Sequence, residues 1–139
     1  MRCHFSMLTL PLALALPAAC WAQAEPTQPA QKAALAWLAL TDSGQFAASW
    51  DGAAEAFKNA VPKETWSAAL TSARLPFGAL KSRKLKSAML TNNLPGAPEG
   101  EYVVIQYDTQ FEHKASAVET ITPMRGKDGS WKVCGYYVK

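Results

Sequence analysis

Hydrophobic spacing changes twice along the chain, and the changes mark out its parts. An unbroken apolar run covers Phe5 to Leu16. From Ala30 to about Leu75 the apolar residues recur at steps of three, four and seven, the spacing of one helix face. After Gly78 the period falls to two, which puts alternate residues on opposite faces of a strand.

In the helical part, Ala30 to Leu40 is rich in the strong helix formers Ala and Leu and predicts a first helix. Its stretch Ala33 to Leu40 is apolar on every side, so the helix is expected against the sheet and covered on more than one face. Asp42-Ser43-Gly44 then reads as its C-terminal turn. Phe46, Trp50, Ala53, Ala54, Phe57 and Val61 predict a second helix over 45–60, loosened at Asp51-Gly52. Pro62 opens a third, with Trp66, Ala69, Leu70 and Ala73 as its buried stripe and Pro76-Phe77-Gly78 as its end.

The period-two part predicts four strands. Leu80 to Leu90 comes first, then a Pro- and Gly-rich loop from Leu94 to Gly100. Tyr102 to Phe111 is the clearest strand. Val103, Ile105, Tyr107, Thr109 and Phe111 share the face expected to meet the helices, and Gln106, Asp108 and Gln110 share the other. Glu112-His113-Lys114 turns the chain into Ser116 to Met124, and Asp128-Gly129, where glycine supplies the positive φ of a tight hairpin, leads into Trp131 to Val138. Three helices followed by a four-stranded antiparallel meander make an α+β domain with the helices on one sheet face. The order is like that of the nuclear-transport-factor-2-like or cystatin-like roll.

The opening block has a separate meaning. Arg2, the apolar run, Pro17 and the small residues Ala18 and Ala19 follow the order of a cleavable secretory signal. The run is shorter than the roughly 20 residues that a membrane-spanning helix needs. Ala22-Gln23-Ala24 favours a cut before Glu25, with a cut before Gln23 as the second choice. Lipidation at Cys20 is disfavoured by Pro17, which stands where a Leu-like residue is expected. The expected organisation is a signal at 1–24, a tether at 25–32 and one domain at 33–139, in the periplasm or outside the cell and soluble after cleavage, with no membrane-spanning segment.

Charge and cysteine usage narrow the chemistry. The 14 Lys and Arg lose Arg2 with the signal and face 11 Asp and Glu, too even a balance for a polyanion binder, and no nucleic acid is expected as partner. Cys3 and Cys20 also leave with the signal, so Cys134 has no disulfide partner; between Val133 and Gly135 it reads as a small buried filler. One His with one Cys cannot make an ordinary zinc site, no Gly-rich phosphate loop follows a strand, and no cofactor is expected. His113 reads as a solvated turn residue, not as a general base. Lys81, Arg83, Lys84 and Lys86 read as protection of an edge strand, Lys84 and Lys86 pointing one way and Lys81 and Arg83 the other. Contact with an acidic partner or lipid headgroup is the lesser reading.

Three carboxylates are candidates for a pocket between helices and sheet. Asp42 reads as a helix-end residue, Asp108 as a solvent-facing strand residue, and Glu119 as a cross-strand partner for a lysine. None is a marked acid or base. Trp37, Trp50, Trp66 and Tyr107 are core by spacing, and Trp37, Trp50 and Tyr107 outline a candidate apolar pocket for a small ligand.

An ordered series of short pieces adds a resemblance. Trp37-Leu38, Asp42-Ser43-Gly44, Ser49-Trp50, Ala53-Ala54, Phe57, Trp66, Arg74-Leu75-Pro76-Phe77-Gly78, Leu94-Pro95-Gly96, Gly100-Glu101-Tyr102, Glu119-Thr120, Asp128-Gly129-Ser130-Trp131-Lys132-Val133 and Gly135-Tyr136 together resemble the bacterial family called domain of unknown function 4019. The likeness implies an exported bacterial protein and brings no catalytic residues. The expected function is a non-catalytic binding or accessory module for a periplasmic protein or apolar ligand. The alternative is a small roll-fold isomerase or hydrolase with a pocket carboxylate. Burial separates them: the enzyme needs Asp42, Asp108 or Glu119 buried beside a second polar group, the module needs them solvated.

Overall fold

A computed structural model describes residues 26–139. The expected signal and its cleavage site therefore lie outside the described residues. Four helices come first: α1 Gln28–Asp42, α2 Phe46–Asp51, α3 Glu55–Ala60 and α4 Lys63–Arg74, the last extended by a single 3₁₀ turn, Leu75–Phe77. Four strands follow: β1 Leu80–Thr91, β2 Tyr102–Phe111, β3 Lys114–Arg125 and β4 Trp131–Val138. They form one antiparallel meander in the order β1-β2-β3-β4, the expected α+β layout.

Where the helices depart from expectation, a local cause is visible. The stretch expected as one helix over 45–60 is two, parted after Asp51-Gly52. At the break Ala54 is extended and its amide donates to the Val133 carbonyl of β4 at 2.8 Å, a bond that an uninterrupted helix would forbid. Pro62 is extended and caps α4 from outside its first turn.

Buried faces are also narrower than expected. Helix α1 buries Ala30, Ala34, Trp37, Leu38 and Thr41, a single stripe, and leaves Leu35 about half exposed. Its remaining Ala and Leu serve helix propensity, not packing. In α4 the stripe is Trp66, Leu70 and Arg74, spaced by four, while Ala69 and Ala73 are exposed.

The alternation expected for β2 is observed: Val103, Ile105, Tyr107, Thr109 and Phe111 are buried, and Asp108 and Gln110 face water. Ala30, Ala34, Trp37 and Leu38 of α1 pack on Val103, Ile105, Tyr107, Ile121 and Val133 to form the core, flanked by Trp66, Trp131 and Tyr136. Gly78 turns the chain from the helices into β1 at φ +73°, and a Cβ there would meet the His113 ring at 2.9 Å. Only glycine satisfies both demands.

Candidate functional site: a buried charge cluster between the layers

Four ionised side chains from four elements converge where the helix ends meet the sheet. Asp42 ends α1, Arg74 ends α4, Arg83 projects from β1 and Glu119 from β3. The register carries this group across the sheet, because Arg83 lies opposite Thr109 on β2 and Glu119 lies opposite Tyr107 on β2 and Val138 on β4. All four are removed from water, with side-chain exposures of 17% for Asp42, 5% for Arg74, 8% for Arg83 and 0% for Glu119.

The donors and acceptors are closely matched. Oε1 of Glu119 accepts from Arg83 Nε at 2.7 Å and from the Thr109 hydroxyl at 2.6 Å. Its Oε2 accepts from Arg83 Nη2 at 3.1 Å and from the Tyr136 hydroxyl. Asp42 accepts Arg83 Nη1 at 2.8 Å on Oδ2, and on Oδ1 both Arg83 Nη2 at 2.9 Å and Arg74 Nη2 at 2.8 Å. Arg74 Nη1 reaches the Thr41 hydroxyl at 3.0 Å and the Tyr136 oxygen at 3.3 Å, while its guanidinium carbon lies 4.7 Å from the Phe111 ring centre. Arg74 Nε and the Tyr107 hydroxyl are buried without a hydrogen-bond partner among the described residues.

Two positive and two negative groups cancel, which is the condition under which buried charges persist. Burial would raise the Asp42 pKa, but the hydrogen bonds and charges of Arg83 and Arg74 outweigh it and hold the carboxyl below its ordinary value. Burial likewise opposes the charge on Arg83, and Asp42 and Glu119 more than restore it. The Tyr136 hydroxyl is pushed well above its usual range, by burial first and then by the neighbouring Glu119 charge. It therefore stays a donor.

This arrangement corrects the reading of Glu119 as a cross-strand partner for a lysine: it is fully buried and its strong partner is an arginine. Asp42 does end its helix, as expected, and is also held by both arginines. Asp108 is solvent-facing as expected, with Lys86 Nζ 3.9 Å away. Sequence reasoning missed Arg74 and Arg83 as members. Arg74 stands four residues after Leu70 and eight after Trp66, so the helical stripe pointed to it. Arg83 was hidden by register shifts on either side of it, at Leu80/Ser82 and Leu85/Ser87, which break the simple alternation.

The aromatic residues have their own partners. Trp37 is 5% exposed, with its indole N–H donating to the Ser49 carbonyl at 2.7 Å, and its ring is 6.1 Å from that of Trp66 and 5.4 Å from that of Tyr136. Tyr107 is buried in the same core. Trp50 is half-buried, donates to the Val61 carbonyl at 2.8 Å and lies under Lys58 and Lys63. An apolar groove of about 210 Å³ runs instead between α4 and β4, lined by Trp66, Leu70, Ala73 and Tyr136 among others. A smaller cavity of about 130 Å³ adjoins the charge cluster beside Thr41, Asp42, Arg74 and Gly78.

Cys134 is half-buried in β4, and burial pushes its thiol up to about 11. Among the described residues no three of His, Cys, Asp and Glu come together as a metal site. No helix among them is long and apolar enough to cross a membrane.

A helix layer laid on one face of a four-stranded meander, pinned by a balanced buried charge cluster, defines the class of domain. Residues 33–136 match the family described as protein of unknown function (DUF4019), and the chain belongs to that family. No curated protein and no solved structure is recognisably similar to it.

Proposed function

We propose that the protein is exported from a bacterial cytoplasm, cleaved after Ala24, and acts outside it as a non-catalytic binding or accessory module. The observation that carries the non-catalytic part is the engagement of the buried carboxylates by the protein's own donors. Glu119 accepts four hydrogen bonds and Asp42 three, all from within the domain. A general base needs a free lone pair aimed at substrate and a pKa near the working pH. Asp42 lacks the second, since its pKa is lowered.

The alternative, a small roll-fold isomerase or hydrolase, has the burial it requires in Asp42 and Glu119 and a cavity beside Asp42. Burial alone thus favours the enzyme. Engagement of these carboxylates favours the module, because both oxygens of Glu119 and both of Asp42 are already held by arginine. An apolar ligand among Trp37, Trp50 and Tyr107 is the weaker form of the module reading, since Trp37 and Tyr107 are already packed in the core.

Two measurements test the proposal. N-terminal sequencing of the protein from fractionated cells should begin at Glu25 in the soluble extracytoplasmic fraction; an uncleaved cytoplasmic chain or a lipid-modified Cys20 overturns the export part. Carboxyl-carbon NMR titration should show Asp42 ionised throughout the neutral range. A carboxyl in the cluster that titrates near neutrality overturns the non-catalytic part.

A further inference from the structure

The two edges of the sheet are treated differently by the rest of the chain. The β4 edge is capped at Val133, whose carbonyl is taken by the Ala54 amide. Among the described residues strand β1 has β2 as its one strand partner, and its outer edge carries backbone groups of a twelve-residue strand.

That free edge has two dissimilar halves. From Leu80 to Lys86 it carries Lys81, Lys84 and Lys86, all exposed, together with both register shifts. No Asp or Glu occurs between Glu64 and Glu99. Arg74 and Arg83, the other cations of that stretch, are neutralised in the buried cluster, so the three lysines remain as surface charge. Among the described residues only Asp108, 3.9 Å from Lys86, comes within ion-pair reach of them.

From Ser87 to Thr91 the edge is uncharged and its register with β2 unbroken. Leu85, Met89 and Leu90, around and within this half, are 45%, 66% and 46% exposed. Lysines and bulges explain a guarded edge; they do not explain large exposed apolar side chains on the half that lacks them.

We propose that the β1 edge is a docking site for an extended segment of another polypeptide, which adds to the sheet as a fifth strand. Its apolar part lies along Ser87–Thr91 and its acidic part faces Lys81, Lys84 and Lys86. Charge complementarity selects this occupant. A second copy laid along the same strand would bring a second set of lysines to an edge that already holds three. An anionic lipid surface needs its contacts on one plane, whereas Met89 and Leu90, as neighbours in a strand, point to opposite faces. What the groups share is the edge itself.

This deepens the module reading and rests on it, and its test is independent of export. The probe is a fluorescein-labelled synthetic peptide, Val-Thr-Ile-Thr-Val-Glu-Ser-Glu-Ser-Glu, ordered to lie antiparallel to β1, titrated with the purified domain and followed by anisotropy. Saturable binding is expected, weakening about tenfold or more as salt rises from about 50 to about 500 mM. The same loss is expected with the triple variant K81E/K84E/K86E, whose fold is checked by circular dichroism, and with a peptide in which both Thr are replaced by Pro. M89S should weaken binding at all salt concentrations.

No binding at about 1 mM protein overturns the proposal. So does equal binding of a peptide with Lys in place of Glu, or binding that the variants and the proline peptide leave unchanged. Capture of the domain by anionic phospholipid vesicles without peptide binding, or a β1-paired dimer that the peptide cannot dissociate, would also overturn it. Each of these leaves the non-catalytic reading standing, because neither the Asp42 titration nor the processing site depends on β1.

Discussion

Replacing Glu119 by Gln tests the buried cluster with the least change of shape. The amide keeps one oxygen but turns the other acceptor into a donor, directed at a position where Glu119 now receives two donors. On the Oε1 side those donors are Arg83 and Thr109; on the Oε2 side they are Arg83 and Tyr136. Either way Arg83 loses part of its counter-charge inside a fully buried site. Breaking a buried pair by removing one partner costs about 3–5 kcal/mol. Arg83 keeps Asp42, which is 17% exposed and closer to solvent, so the lower figure of about 3 kcal/mol applies. At about 4 °C per kcal/mol for a domain of this size, the midpoint of thermal unfolding should fall by about 12 °C. Urea and thermal unfolding of Glu119→Gln read this, with Asp108→Asn on the exposed face as a control expected within about 0.5 kcal/mol of the parent. Coupling is expected as well: Arg83→Met with Glu119→Leu should cost less than the two changes summed, because the double variant strands neither charge. A Glu119→Gln domain within about 1 kcal/mol of the parent would refute the view that these charges depend on one another.

Other outcomes follow from single sites. Trp37→Ala should cost about 3–5 kcal/mol in a denaturant titration, and Trp50→Ala distinctly less, since Trp37 is a core residue and Trp50 is half-buried. Because the Asp42 pKa is lower folded than its ordinary 3.8, its contribution is fully present above that value and is lost as pH falls through the folded pKa. Acid unfolding of Asp42→Asn should accordingly show a weaker pH dependence below about pH 4 than the parent. With its thiol pushed from 9.0 to about 11, Cys134 should react with a thiol reagent at pH 8 about a hundredfold more slowly in the native protein than after unfolding. Equal rates would show the thiol to be freely accessible.

The fold was legible because its signals are local and agree with one another. Period two in Tyr102–Phe111, the Asp128-Gly129 turn and the Pro/Gly-rich loop each specify their element without reference to distant residues. The break between α2 and α3 was only half legible: Asp51-Gly52 marks the weak point, but the bond from Ala54 to Val133 that fixes it joins residues far apart in sequence. The charge cluster was less legible still. Carboxylates and arginines near helix ends and on strands read by default as surface groups. What buries Glu119 is the simultaneous arrival of Arg83, Thr109 and Tyr136 from three other strands, and the bulges flanking Arg83 disguise its face. Arg74 shows that a long cation can belong to a buried stripe when an aromatic face and three acceptors receive it.

The position of Tyr136 has a consequence for the order of events as the chain is made. The cluster draws on residues 41 to 136, and Tyr136, one of its donors, belongs to β4. Until β4 is available, Glu119 lacks one of its four hydrogen bonds and the core lacks Val133. Arrival of β4 therefore completes the charge cluster and the apolar core together, and the two layers are not fully pinned before it.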